Sequence, residues 1–476
     1  MEKIIPDGIT YDDVLVVPKK ATGLSTEVSL ETKLTKTIRL NSPIASAPMD
    51  TVTEGRMAIY LARYGGIGII HKNLSIEAQV AEVTKVKRSE FGVIKTPISL
   101  GPNGYLYEAE AFMKKYRISG VPITEYDQLV GILTNRDMRF EADHNKKIYE
   151  VMTRENLITA PVGTTLDEAK AILDRHKIEK LPLVDEAGDL KGLITSKDIV
   201  KSIEYPHSAK DAEGALIVGA AIGTAQGYMD RVDALVEARV DVIVIDSPHG
   251  HDQRLAHVIG KIKSKHPTLQ VIAGNVATGE GAQFLIDAGA DGLRVGVGTG
   301  SMSTTGKVAG VGMPQVSAIM ACAAVAKPQG VPIIADGGVK VSGDIIKALV
   351  AGANVVMMGS LLAGCQESPG ALERINGRKY KKYRSLHAGS AKPADYRGPS
   401  LPDGIEGRII YKGSAKEVVK KILGNIADGM HYAGAASIPE LIDNGQFIKV
   451  TRSGYFESLP HSVEVTKETQ YLTHTD

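Results

Sequence analysis

GLRVGVGTGS (Gly292–Ser301), VPIIADGG (Val331–Gly338) and NVVMMGS (Asn354–Ser360) each pass from a short apolar stretch directly into glycine. The apolar part of each is continuous rather than alternating, the pattern of a strand covered on both faces. The glycine-rich ends leave backbone N–H groups unobstructed, which is what a phosphate needs from a loop. Five more runs of this kind precede them: SPIASAPM from Ser42, GGIGIIH from Gly65, LIVGAAIG from Leu216, DVIVIDS from Asp241 and QVIAGNV from Gln270. Eight such strands alternating with amphipathic stretches predict an α/β fold, a closed TIM (β/α)8 barrel. ARVD (Ala238–Asp241), AGAD (Ala288–Asp291) and AGAN (Ala351–Asn354) echo one another as repeated helix, turn and strand junctions.

A stretch of different texture interrupts the series. The barrel is assigned to residues 1–93 and 214–476, and an inserted domain to 94–213. Within the insert, YRISGVPIT from Tyr116 with LVGILTNRD from Leu129 is echoed by HKIEKLPLV from His176 with LKGLITSKD from Leu190. This tandem repeat resembles a pair of cystathionine-β-synthase-type (CBS) modules, a Bateman domain. The resemblance implies a regulatory adenine or guanine nucleotide, with Asp137 or Asp198 at its ribose and Thr134 or Thr195 near its phosphate. The residues alone allow a second reading, in which each Asp caps the helix that follows it.

The totals bound the function. With 56 basic and 55 acidic residues, nothing in the charge favours nucleic acid or an anionic membrane as partner. No apolar run approaches the roughly 20 residues that cross a bilayer. The N-terminus MEKIIPDGITYDD has no signal-peptide pattern, so a cytoplasmic protein is expected. Two cysteines, Cys322 and Cys365, are too few for a disulfide framework or a thiolate metal cluster and read as small buried residues.

In a barrel of this kind chemistry is sought in the loops after the strands. ASAPMDTVTEGRMAI, GGIGIIHKN, NVATGEGA, ADGGV, MMGSLLAG, GIEGR and SLPHSVEVTKE occur in the order in which they appear in the IMP dehydrogenase / GMP reductase family, and the chain resembles that family over nearly its whole length. The resemblance implies a nucleoside 5′-monophosphate substrate and a nicotinamide cofactor, NAD or NADP. It implies phosphate contacts at Ser301, Gly338, Gly359, Ser360 and Tyr383, with Asp336 at the ribose hydroxyls, Met49 beside the ribose, and Gly300 and Gly337 also at the substrate. Asp246, Ser247 and Asn275 fall on the cofactor side. Gly298 and Gly300 fall where the family holds potassium on backbone carbonyls. A homotetramer, or an octamer joined through the CBS pairs, is also implied.

The departures from the family pattern are chemical. The family's cysteine loop reads roughly GSICTTR; here GSMSTTG places Ser303 at the nucleophile and Gly306 at the arginine. A serine hydroxyl has no appreciable ionised fraction near neutrality and needs an adjacent base to attack carbon. Thr305 and Asp403 stand where the family has a Thr-Glu pair that activates water. The segment 384–403 looks shorter than the family's mobile flap and lacks its Arg-Tyr pair, while Ala394–Arg397 (ADYR) looks like part of GMP reductases. Histidines appear in new places: His249 and His251 in the loop after the fourth strand, and His387 near the purine. Because histidine titrates near neutrality, their convergence on one cavity predicts replaced acid-base chemistry, with a zinc site as a weaker alternative. Three functions therefore follow as expectations: a nicotinamide-dependent oxidoreductase working without a cysteine adduct, a deaminase or hydrolase acting on the base, or a catalytically inactive nucleotide sensor.

Overall fold

A computed structural model describes residues 4–5, 8–21, 23–89, 94, 97–116, 118–385 and 405–463. Eight strands close a parallel barrel: β1 (Ile44–Ser46), β2 (Ile67–Ile70), β3 (Gly219–Ile222), β4 (Val242–Asp246), β5 (Gln270–Val276), β6 (Gly292–Val295), β7 (Ile333–Asp336) and β8 (Val355–Met358). Every one lies in a run singled out from sequence. They alternate with α1 (Gly55–Arg63), α2 (Ile76–Lys87), α3 (Tyr228–Glu237), α4 (Gln253–Lys265), α5 (Gly279–Asp287), α6 (Gln315–Ala326), α7 (Ser342–Val350) and α8 (Ala415–Tyr432). The fold is thus the expected TIM barrel.

The strands sort their side chains by parity. Ala45, Ile67, Ile69, Ala221, Val242, Val244, Ile272, Ile334, Val355 and Met357 form one cluster with Leu34 and Leu40, which fill the barrel's interior. Their sequence neighbours Ile44, Ile70, Ile222, Ile243, Ile245, Val271, Leu293, Val295, Ile333 and Val356 pack outward against the helices.

The three echoed junctions turn out to be one device. Arg239, Gly289 and Gly352 take left-handed conformations just after α3, α5 and α7. The residue opening the next strand then grips the preceding strand twice. Asp241 donates its N–H to the Val218 carbonyl at 3.1 Å, while its carboxylate accepts the Val218 N–H at 2.8 Å. Asp291 does the same with Val271, both at 2.8 Å, and Asn354 with Ile333 at 2.8 and 2.9 Å.

Residues 90–206 and 212–215 group as a second compact unit. Its two halves repeat one order: helix Leu106–Tyr116, antiparallel strands Gly120–Glu125 and Gln128–Thr134, helix Asn135–Met138; then helix Leu166–His176, antiparallel strands Lys180–Val184 and Leu190–Thr195, helix Ser196–Glu204. Against the expected insert 94–213, this unit starts four residues earlier, runs two residues further and leaves His207–Asp211 with the barrel. Those residues are held there by Ala209 N–H on the Ala62 carbonyl at 2.7 Å and by an ion pair between Lys87 and Asp211 at 2.9 Å.

The capping reading of the two threonine-aspartate pairs is realised in the geometry. The Asp137 carboxylate accepts from the Thr134 N–H (2.7 Å), the Thr134 hydroxyl (2.6 Å) and the Thr153 hydroxyl (3.2 Å). That of Asp198 accepts from the Thr195 hydroxyl at 2.5 Å.

Replacing Asn354 with alanine leaves the buried Ile333 N–H without its side-chain acceptor, a loss of about 1–3 kcal/mol. The thermal midpoint of Asn354→Ala is expected to fall by several degrees, while Asn354→Asp, which keeps the acceptor that Asp241 and Asp291 supply, falls less. An unchanged midpoint for Asn354→Ala would show that the grip contributes nothing.

Candidate active site

The carboxyl ends of the strands open into a cleft of about 1250 Å³, mouth included. It is bordered by Met49 after β1, Asp246 and Ser247 at β4, Asn275 in β5, the loop Gly296–Ser303 after β6, Asp336–Lys340 at β7, Gly359 and Ser360 after β8, and Tyr383. The cavity proper is about 270 Å³, close to the lower end of the roughly 300–1000 Å³ common for ligand pockets. Gly298, Gly300, Ser301, Ser303, Thr305, Gly337 and Gly338 also border it. One site therefore gathers all the substrate-side and cofactor-side residues expected from sequence.

Two glycines are dictated by geometry. Gly296 has φ +143°, and a Cβ there would lie 2.1 Å from the Asp336 carbonyl; Gly337 has φ +99°, with its Cβ 2.6 Å from the Thr299 hydroxyl. The loops after β6 and β7 lie against each other only because neither residue carries a side chain.

Beneath the cleft lies a group that the sequence reading missed. Arg294, in β6, is 8% exposed. Its Nη1 meets Asp246 Oδ1 at 2.5 Å, and its Nε and Nη2 meet Asp336 Oδ2 at 2.9 and 2.8 Å. Asn275 Nδ2 donates to the same Asp336 oxygen at 2.8 Å and to the Gly296 carbonyl at 2.7 Å. Lys72 adds a second cation on Asp246 at 3.1 Å. Burial disfavours the Arg294 charge, and the two carboxylates more than offset this, holding the guanidinium above its usual value. Asp336 Oδ1 takes part in none of these bonds.

The end of the cleft expected from sequence to take a phosphate is lined by neutral donors. The Ser301 hydroxyl lies 3.1 Å from the Tyr383 hydroxyl, and Tyr383 lies 3.9 Å from the Met49 sulfur. Burial pushes the Tyr383 phenol up to about 12, so it remains a donor throughout the neutral range. The segments carrying Met49 and Tyr383 are fastened by the next residue of each, Asp50 and Arg384, at 2.6 Å.

Ser303 faces a hydroxyl. Its Oγ lies 2.9 Å from Thr305 Oγ1 and accepts the Thr305 N–H at 3.3 Å. Neither cysteine borders the cleft: Cys322 and Cys365 are fully buried, and burial raises both thiols to about 12.

The histidine expectation needs correction. His249 and His251 are exposed and do not border the cleft. Their loop is turned by Gly250, whose N–H donates to the Asn275 carbonyl at 2.7 Å, and by the contact of Ser247 Oγ with the His249 carbonyl at 3.1 Å. His251 instead packs on Phe284 of α5, ring centroids 5.0 Å apart. Among the described residues, no three His, Cys, Asp or Glu side chains form a metal-binding group. His387, Asp403 and Ala394–Arg397 lie outside the described residues.

Residues 8–461 match the IMP dehydrogenase / GMP reductase domain family. The chain belongs to that family. It is 55% identical over 480 residues to inosine-5′-monophosphate dehydrogenase of Halalkalibacterium halodurans and 54% identical over 482 residues to that of Bacillus subtilis, covering 99% of each chain in both cases. Among solved structures it resembles a Cys→Ala variant of GMP reductase from Trypanosoma brucei in complex with guanosine 5′-monophosphate, with TM-score 0.88, 37% identity and coverage of 97% of this chain and 99% of the other. The family is one of purine-nucleotide oxidoreductases, and an enzyme of this class fits the cleft described above. Among the described residues, no helix is long and apolar enough to cross a membrane.

Burial and the raised thiol values together predict that a disulfide-exchange reagent at pH 8 labels neither cysteine in the folded chain and both after denaturation. Labelling of one thiol in the native protein, at the rate of a free thiol, would contradict this arrangement.

Proposed function

We propose that the cleft binds a purine nucleoside 5′-monophosphate and that the chain exchanges a hydride between its base and a nicotinamide cofactor, without a cysteine adduct. The observation that carries the binding half is Asp336. Three donors fasten its Oδ2, while Oδ1 is left to accept from a ribose diol at the cleft. Ser301, Ser360 and Tyr383, with the amides of Gly300, Gly337, Gly338 and Gly359, then receive the phosphate over β7, β8 and β1. This is the usual phosphate side of a TIM barrel.

The nicotinamide is assigned to the β4 and β5 side, against Asp246, Ser247 and Asn275. These residues fit it: the Asp246 carboxylate is balanced by Arg294 and Lys72, so the wall offers polar groups without an excess negative charge. When bound, the cofactor supplies a hydride acceptor or donor; NAD is the form favoured by the dehydrogenase relatives.

What the chain itself contributes is position and proton handling. The Ser303 and Thr305 hydroxyls, 2.9 Å apart, hold water at the base. Thr305, with Asp403 and His387, is assigned the proton transfer; His249 loses that role because it lies off the cleft. A water molecule adding to the base carbon replaces the thiolate, so its oxygen enters the product directly. Carbonyls of Gly298 and Gly300 are assigned to potassium. The Thr134–Asp137 and Thr195–Asp198 caps are assigned to a regulatory nucleotide. A cytoplasmic homotetramer or octamer completes the reading.

One observation favours a second reading, an inactive nucleotide sensor: the group described beside Ser303 is another hydroxyl, which cannot deprotonate it. Deamination or hydrolysis of the base would also use water at Thr305, but no feature of the cleft selects it over hydride exchange.

Thermal stabilisation by IMP, GMP, XMP and AMP, each with and without NAD or NADP, tests the reading, with mass analysis of the mixtures. A monophosphate is expected to raise the midpoint by mass action and to be converted in the presence of a nicotinamide. Failure of all four to stabilise the chain sinks the ribotide site; binding without conversion under any cofactor leaves the sensor. Ser303→Cys is expected to gain a covalent adduct with IMP and NAD, detectable as added mass on the intact chain.

A further inference from the structure

The loop after β6, which carries Ser301, Ser303 and Thr305, leaves the barrel where two strands stop pairing. The β6–β7 register ends at Val295 and Ala335. There the carbonyls of Val295 and Asp336 converge on one buried amide, that of Gln315, which opens α6 and is 2% exposed.

We propose that Gln315 is a positioning residue for the phosphate: it fixes the loop that carries Ser301 by tying Thr299 of that loop to the end of β7. This rests on the ribotide reading above. Gln315 Nε2 donates to the Val295 carbonyl at 2.9 Å and to the Asp336 carbonyl at 3.2 Å. Its Oε1 accepts the Thr299 hydroxyl at 3.1 Å, and that hydroxyl also lies 3.3 Å from the Asp336 carbonyl. Two carbonyls on one side and a hydroxyl on the other call for two N–H donors and an oxygen in one plane, which only side-chain amides offer. Thr299 and Asp336 both border the cleft, and Ser301 lies two residues beyond Thr299.

The position of Gln315 is set from outside the cleft. The N–H groups of Val316 and Ser317 donate to the Ile9 carbonyl at 3.1 and 3.3 Å, and the Ile9 N–H donates to Ser317 Oγ at 2.9 Å. The amide fills the space over Gly296, where a Cβ would come 2.9 Å from Oε1 and 3.0 Å from Nε2. Its two attachments differ in redundancy. The Asp336 carboxylate is held by Arg294 and Asn275 without help from Gln315, whereas the described bonds of the Thr299 hydroxyl run to Gln315 and to the carbonyl that Gln315 holds. Losing the amide therefore releases the phosphate loop and leaves the ribose acceptor in place.

The test compares each monophosphate with its own nucleoside, by titration calorimetry on the full chain with IMP and inosine, and with GMP and guanosine. Gln315→Met keeps the length of the side chain and removes its hydrogen bonds. It is expected to weaken monophosphate binding about tenfold and nucleoside binding by no more than about twofold. Thr299→Val is expected to reproduce that loss and Thr299→Ser to avoid it. Because the two residues act as one link, the double variant is expected to lose no more than either single one. Should Gln315→Met not fold, Thr299→Val and Thr299→Ser carry the same comparison. Equal losses for monophosphate and nucleoside, an unchanged ratio between them, or additive losses in the double variant overturn the role of Gln315 while leaving the ribotide site intact. If the native chain itself prefers neither monophosphate over its nucleoside, the ribotide reading falls first and the role of Gln315 with it.

Discussion

The arrangement of the cleft depends on one buried guanidinium. Arg294 joins the ends of β4 and β7 from its place on β6, and Asn275 of β5 closes the same network through Asp336. Two carboxylates facing one interior would repel each other and leave water at great cost; an arginine between them makes the cluster tolerable. The same bonds fix the Asp336 carboxylate, so the acceptor proposed for a ribose is oriented before any ligand arrives. Removing the arginine would do more than lose a pair, because it would leave both aspartates buried without their cation. Charge satisfaction and the proposed ligand recognition thus fall on the two oxygens of one carboxylate.

This network was legible in the sequence, although the reading did not extract it. Period-two parity along DVIVIDS puts Asp246 on the side of Val242 and Val244, and along VPIIADGG it puts Asp336 on the side of Ile334. In GLRVGV the outward positions are Leu293 and Val295, so Arg294 must point inward. An arginine inside an apolar strand is too costly to leave unpaired, and the two inward aspartates of the other strands are its only symmetrical answer. The eight strands themselves were readable because each is a continuous apolar run ended by glycine or aspartate. The glycine loops at the cleft were readable because glycine is needed where loops approach within van der Waals distance, as at Gly296 and Gly337.

The histidines mark where sequence stops informing. Spacing placed His249 and His251 on the correct loop, at the end of the correct strand, but not on a face of it. Gly250 docks on the Asn275 carbonyl, and the two histidines flanking it are exposed and do not border the cleft. A loop has no period, so parity cannot be applied to it. The two Thr-Asp pairs of the insert show the converse limit. A residue pair suited both to cap a helix and to meet a ribose carries one signature for two roles, and local hydrogen bonding is already satisfied by the cap.

The cleft divides into halves with different physical demands. On the β7, β8 and β1 side, recognition needs donors and one fixed carboxylate, and these are held by backbone turns, by the buried arginine and by the Asp50–Arg384 fastening. None of them depends on the nucleophile. On the β4 to β6 side, chemistry needs a group that can share a proton or an electron pair, and there Ser303 and Thr305 offer only neutral hydroxyls to each other. A thiolate at Ser303 would bring a full charge and a good leaving group into the same space. A hydroxyl brings neither, but it can hold water as donor and acceptor at once. On the reading proposed above, substitution at this one position changes which atom attacks the base without touching the groups proposed to seat the nucleotide, so binding and turnover are separable by measurement.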